Sequence, residues 1–444
     1  MVSPSRERLL CLDWLRGLAA LLICLVHVPH RDASWGDPTH GPFWLFLPLE
    51  IGSFRTVLFI IISGFGIHLL TLLTLAKHGV ELRPESGPMP GLGLAASSFW
   101  RRRLMRIYGP YTFALVGCLA FMGFIAWRGH AIWQNYQAAG ADWAADTLCH
   151  VAMVHNLSPD YAMGMFNGPQ WALGMEVQLY ALYFVYLAMR RRFSRKACLI
   201  SLFALSAIGW NAWEVLGPSK VTVGPFVFGS WELWPFNYWW IWLLGSLGAE
   251  AYVGLVRLPR WLASWRVGVA FFLMGSALQF PSWEFFAEGH QRIGPWMAGL
   301  MVGDSFLRPA LSVIMQILYF CLPPLGIGIM VFATVVHERK VGGEVGWVRR
   351  QLLRAGTISY SLFLVHAPVI WMGEILLSRW AGGAMDQSPG WIAVRLVAYF
   401  PACLLVSLVF YYFCERPFTA AGRAPRVKPK AEAPPAQPPL ARAA

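Results

Sequence analysis

Ten apolar stretches of bilayer-crossing length recur along the chain, at about 9–28, 53–75, 108–127, 170–189, 197–216, 233–255, 266–282, 309–336, 356–378 and 391–414. A helix needs about 20 apolar residues to cross the hydrocarbon, and in lipid every backbone amide must be satisfied inside a helix or a closed barrel. Stretches of this length dictate an all-α, polytopic transmembrane bundle of about ten helices and exclude a series of water-soluble cores. Composition agrees, with only 13% of the 444 residues charged, against about 25% in a soluble domain. Pro323-Pro324 in the eighth span is expected to break or kink it.

Charge sets the sides. Of the 36 Lys and Arg side chains, 27 fall in segments that a ten-span count places with the N-terminus, and cytoplasmic loops carry such an excess. Both termini are therefore expected in the cytoplasm. The net charge of +13 is topological, with the lipid bilayer and no nucleic acid as partner. Arg6 and Arg8 precede the first apolar run as in a secretory signal, but Asp13 and Arg16 interrupt it and no small-x-small cleavage site follows, so a retained helix is expected. The eight cysteines show no CxxC or Cys/His ligand spacing, which indicates neither disulfides nor a metal site. Residues 1–415 read as one membrane domain, and the basic, Pro/Ala-rich stretch 416–444 as a disordered cytoplasmic tail. The longest outer loop, about 128–169, holds Trp133, Tyr136, His150 and His155 and reads as a partial lid. No internal repeat stands out, which argues against a transporter built from inverted halves.

Polar residues within apolar spans are costly and usually paired or functional. In "LDWLRGLAALLICLVHV", Arg16 and His27 are eleven residues apart, three turns plus about 20°, so they share a face. Their separation along the axis is about 16 Å. Either they form one stripe from an inner cation to an outer base, or Arg16 merely pairs with Asp13 at i−3 and His27 marks a helix end. In "SSFWRRRLMRIYGPY", Arg101 and Arg102 read as topogenic, whereas Arg103 and Arg106, at i and i+3, can offer two guanidinium forks to one phosphate. In "NGPQWALGMEVQLYALYF", Glu176 lies near the level expected for His27, and a Glu–His pair would set the imidazole tautomer; a structural acid held by Trp or Tyr groups is the other reading. In "GTISYSLFLVHAPVIW", His366 follows Ser359, Tyr360 and Ser361 and is either a helix–helix hydrogen bonder or part of the chemistry. Ser63-Gly64 reads as a close-packing site and His68 as structural.

Taken together, these stretches resemble the acyltransferase-3 family of integral membrane acyltransferases along nearly all of residues 8–417. The opening helix shows Arg, ten residues, then His. "FIIISGF", "FWRRRLMRIYGPY", "WALGMEVQLY", "ISYSLFLVHAPV" and "CERPF" are similar to further family motifs, in order. Ala172 stands where many members have Ser, and the Pro after "RI" is displaced to Pro110. The resemblance implies transfer of an acyl group, commonly acetyl, from acyl-coenzyme A as donor substrate to a hydroxyl of an extracytoplasmic acceptor such as a glycan or a lipid-linked molecule, with no permanently bound cofactor. It implies His27 as catalytic base and Arg16, Arg103 and Arg106 on the coenzyme-A side. Glu176 and Trp171 occupy motif positions, and Asp13, Ser359, Tyr360 and His366 are expected to support the site or the substrate.

The expected mechanism docks coenzyme-A phosphates at the inner mouth and threads the pantetheine arm outward to His27, oriented by Glu176, as general base or as acyl carrier. A transporter or flippase with a polar intramembrane path is the rival, and a degenerate sensor or scaffold a second. The helices and loop charges suggest a bacterial inner membrane.

Overall fold

The computed structural model describes residues 9–28, 54–80, 91–130, 142–158, 168–216, 221–223, 226–228, 233–286, 307–341, 346–381 and 389–421, with scattered residues in the connections around 82–89, 133–137 and 160–164. The ten apolar ranges are occupied by helices α1 (Leu10–His27), α2 (Phe54–Lys77), α3 (Ala96–Trp127), α5 (Trp171–Arg192), α6 (Arg195–Leu216), α7 (Pro235–Tyr252), α8 (Trp265–Phe286), α9 (Leu307–Val341), α11 (Ser359–Trp380) and α12 (Pro389–Phe410). Short helices α4 (Trp143–Val151), α10 (Trp347–Thr357) and α13 (Arg416–Ala421) complete the described set. Seven segments among the described residues, within α1, α2, α3, α5, α9, α11 and the α12–α13 stretch, are long and apolar enough to cross a membrane. Among the described residues the strands form one antiparallel hairpin of β1 (Val221–Val223) and β2 (Phe226–Phe228), with Val221 opposite Phe228.

Three boundaries differ from expectation. α3 begins at Ala96 rather than near 108, so Arg101, Arg102, Arg103 and Arg106 lie on a helix continuous with the span; straight-chain arginines are good helix formers and extend it past the apolar stretch. α9 runs unbroken through Pro323-Pro324. Facing the first of these, Gly275 leaves room for the Pro323 ring, and membrane helices tolerate proline where neighbours accommodate it. Residues 416–421, read as the start of the tail, are helical: the π-turn Tyr411–Glu415 leads into α13, whose Phe418 packs on Gly109 and lies 6.2 Å from the ring of Phe113 on α3. Residues 422–444 lie outside the described residues.

Small residues set how closely the helices approach. A Cβ on Gly64 of α2 would collide with the Trp242 carbonyl of α7, and one on Gly245 of α7 with Ile61 O and Phe65 N. The close-packing reading of Ser63-Gly64 therefore holds, and dense van der Waals contact between backbones is what associates helices in lipid. Gly17 of α1 and Gly356 of α10 meet in the same way. Gly64→Ala is expected to destabilise the bundle by about 1–3 kcal/mol through overpacking, while Gly117→Ala on α3, where an added Cβ meets nothing, is neutral or stabilising. Thermal unfolding of the two purified variants in detergent checks this; equal melting temperatures would refute it.

Candidate active site

A cavity of about 440 Å³ lies among α1, α2, α3, α5 and α11, with Trp242 of α7 also on its wall. Along α1 its lining extends from Leu9 to Ile23, about 21 Å at 1.5 Å per residue. α2 runs antiparallel to α1, since Gly66 faces Arg16 while Phe59 packs beside Ala20 and Cys24. Leu9 and Leu73 therefore mark one end of the cavity, and Ile23 and Thr56 the other.

Arg16, Arg103 and Arg106 all line this cavity together with Asp13 and Glu176. Arg16 lies 3.6 Å from Asp13, the local pair, and within electrostatic reach of Arg103, Arg106 and Glu176. The Arg103 guanidinium sits over the Tyr180 ring, 5.4 Å from its centroid, and 5.7 Å from that of Phe99. Tyr180 donates its hydroxyl to Glu176 Oε1, and Ser63 Oγ donates to the same oxygen at 2.9 Å. Arg106 is also within electrostatic reach of Glu415, a buried carboxylate that accepts from Ser361 N at 3.1 Å and Ser361 Oγ at 2.5 Å. Three guanidiniums thus converge on one cavity, steadied by three carboxylates and an aromatic platform; such a set suits a polyanion.

The expected Glu176–His27 pair is not formed. Glu176 is bonded to Ser63 and Tyr180, whereas the ring of His27 meets that of His366, with His27 Nδ1 and His366 Nε2 3.1 Å apart and centroids 5.0 Å apart. The reason is depth: Glu176 sits five residues inside α5 and bonds Ser63, nine residues inside α2, while His27 is the last residue of α1. The tautomers follow from the partners. His366 is fully buried, and its Nδ1 lies 2.9 Å from Leu362 O, which can only accept, so Nδ1 carries the proton and Nε2 of the neutral ring accepts from His27 Nδ1. Neutral His27 then holds its basic lone pair on Nε2.

The remaining expected residues divide. Ser359 and Tyr360 line the cavity; Ser359 Oγ donates to Gly356 O at 2.9 Å and Tyr360 to Ile107 O at 2.9 Å, tying α11 to α3. Ala172 is on the wall as well. Trp171 is not in the lining, its ring instead being 6.0 Å from that of Tyr238 on α7, which is structural support. His68 is buried between Tyr183 OH at 2.9 Å and Glu250 Oε1 at 3.3 Å, with Arg195 on the same carboxylate, and is structural as expected. Sequence reasoning missed Tyr180, Ser63 and Glu415 as site residues. Tyr180 stands at i+4 from Glu176, a spacing that pairs side chains on a helix, and Glu415 is an acid in an otherwise apolar span, so two of the three left a signal.

In the connection between α3 and α5, His150 and His155 stack in parallel, ring centroids 3.9 Å apart and planes within 8°, both fully buried. Asp146 Oδ1 lies 2.8 Å from His150 Nδ1, and Tyr161 and Cys149 pack alongside. Tyr136 lies outside the described residues. Burial first, then the neighbouring His150, holds the His155 pKa well below its ordinary 6.5, so the native ring is neutral. The unfolded segment takes up a proton near its ordinary pKa, so His155's contribution to loop stability is present above about pH 6.5 and is lost as pH falls below it. Hydrogen-exchange protection of residues 143–158, corrected for intrinsic rates, should therefore drop between pH 7.5 and 5. His155→Asn should flatten the drop; pH-independent protection in the unaltered protein would contradict the assignment.

A family model described as an acyltransferase domain matches residues 9–412. No curated protein and no solved structure matches the chain significantly.

Proposed function

Since the chain belongs to the acyltransferase-3 family and is an integral membrane acyltransferase, we propose that it takes its acyl group from acyl-coenzyme A and delivers it to a hydroxyl on the opposite side of the bilayer. One observation carries this reading: the cavity runs from Leu9 and Leu73, past Arg16, Arg103 and Arg106, to Ile23 and Phe363, one helical turn short of the His27–His366 pair. The Leu9 end, the nearer one to the N-terminal basic residues, supports a cytoplasmic mouth in a bacterial inner membrane with both termini cytoplasmic. Coenzyme A carries phosphates that match the guanidinium cluster and a slender pantetheine arm that suits a long, narrow cavity.

His27 Nε2 takes the proton from the acceptor hydroxyl as its oxygen attacks the thioester carbonyl. The C–S bond then breaks, the ester oxygen–carbon bond remains, and the departing thiolate takes the proton from the imidazolium to leave as free coenzyme-A thiol. His366 positions the base by accepting from its Nδ1. Glu176 is reassigned from orienting His27 to holding Tyr180 beneath Arg103 and balancing the arginines. The acyl group is acetyl and the acceptor a glycan or lipid-linked hydroxyl, on the family resemblance.

Release of coenzyme-A thiol tests the reading directly. Purified protein in nanodiscs, given acetyl-CoA and hydroxylic acceptors, should release thiol in step with ester formed. Movement of the acceptor across the bilayer without thiol release would instead establish a transporter.

A further inference from the structure

At the end of the cavity nearest the histidines, apolar side chains from three helices line the wall together with Thr56. Ile23 of α1 lies four residues before His27, and Phe363 of α11 lies three residues before His366, its ring 6.2 Å from that imidazole. Phe59 of α2 lines the same stretch and packs against the buried cluster that includes Ala20 and Cys24 of α1 and Leu362 of α11. Helical side chains lean toward the N-terminus and cover the preceding turn. His27 therefore leans over the turn that starts at Ile23, and His366 over the turn of Phe363, which is the direction its bond to Leu362 O shows. The apolar wall and the imidazole pair are adjoining layers. A donor threaded from the arginines would bring its thioester to this layer with the acyl chain pressed against it.

We propose that Ile23, Phe59 and Phe363 form the stop that measures the acyl chain, so that the enzyme selects short-chain acyl-coenzyme A and rejects medium and long chains. The proposal rests on the acyl-CoA reading of the cavity. Its physical basis is volume: a methylene that must be accommodated against a packed wall is worth about 10–200-fold in discrimination, and interiors close-packed in this way give little. Phe59 is the decisive member, because it comes from a third helix and packs against a cluster drawn in part from both histidine-bearing helices, and its removal opens space without touching either imidazole's hydrogen bond. Ala172, also on the wall, keeps the neighbouring surface small.

The experiment compares octanoyl-CoA with acetyl-CoA, as the ratio of kcat/KM in thiol release and as the ratio of affinities by calorimetry, for the unaltered protein, Phe59→Ala, Phe59→Leu and Ile23→Ala. The unaltered enzyme is expected to favour acetyl-CoA by about 100-fold or more, and Phe59→Ala to narrow that preference at least about tenfold, with Phe59→Leu intermediate and affinity for coenzyme A itself unchanged. Phe59→Leu, which keeps most of the buried volume, decides the matter should Phe59→Ala lose its fold. Bound coenzyme A with an unchanged chain-length preference in the variants would overturn the stop alone. Failure of the unaltered protein to bind coenzyme A at all would overturn the donor reading and the stop together.

Discussion

His27→Ala is expected to reduce acyl transfer by about 10²–10⁴-fold, the usual scale for removing a general base, while coenzyme-A affinity and folding stay within experimental error of the unaltered protein. The separation is geometric. The cavity with its three arginines ends at Ile23 and Phe363, so neither imidazole is in its lining, and His27 closes α1 at its terminal turn, where loss of a side chain opens no interior void. His366 provides the internal control. As a positioning residue that accepts from His27 Nδ1, its change to Phe should lower kcat with KM for the donor unmoved and shift the acid limb of the pH–rate profile. His366→Gln, whose Oε1 can accept the same proton, should recover part of the rate. Thiol release with single-turnover ester detection reads all three variants, and transfer retained by His27→Ala would remove the base assignment.

The joint replacement of Arg103 and Arg106 by Ala is expected to weaken acyl-CoA binding by at least about 100-fold, since hydrogen bonds to charged groups contribute about 1.5–3 kcal/mol each. Both line the cavity beside Arg16, and their i, i+3 spacing on α3 lets them engage one phosphate group together. Lys at both positions keeps the charge but loses the planar fork, so affinity should recover only in part. A pantetheine thioester without phosphates separates recognition from scaffolding: its affinity should be the same in the double variant as in the unaltered protein. Equal loss for both ligands would show that the arginines hold the cavity's shape rather than the phosphates, and unchanged acyl-CoA affinity would remove them from the donor site.

How far the sequence reached can be judged residue by residue. The spacing of Arg16 and His27 placed both on one face of α1 correctly, and Arg103 with Arg106 on one wall, because these relations are internal to a helix and follow from 100° per residue. The i+4 partner of Glu176, Tyr180, was legible on the same basis. Hydropathy nevertheless points Glu176 at His27, because it places a residue's depth within a span only to about one turn. A turn at 1.5 Å per residue is about 5 Å, more than a hydrogen bond spans. His366 was recognised as a buried polar residue, but its partner, 339 positions away, could not be read from a pattern.

The sequence by itself determined that this chain is a bundle of membrane helices, which stretches form them and which polar side chains they carry. It could do so because lipid forces each segment to satisfy its own backbone, making the elements a local property. Only the tertiary structure decided which of those polar faces meet. That choice depends on where backbones approach, at Gly64 with Gly245 and at Gly17 with Gly356, and so on small residues whose effect appears only when two helices are brought together. From it follow the His27–His366 pair, the convergence of three arginines on one cavity, and the apolar residues Ile23, Phe59 and Phe363 that line the cavity beside that pair.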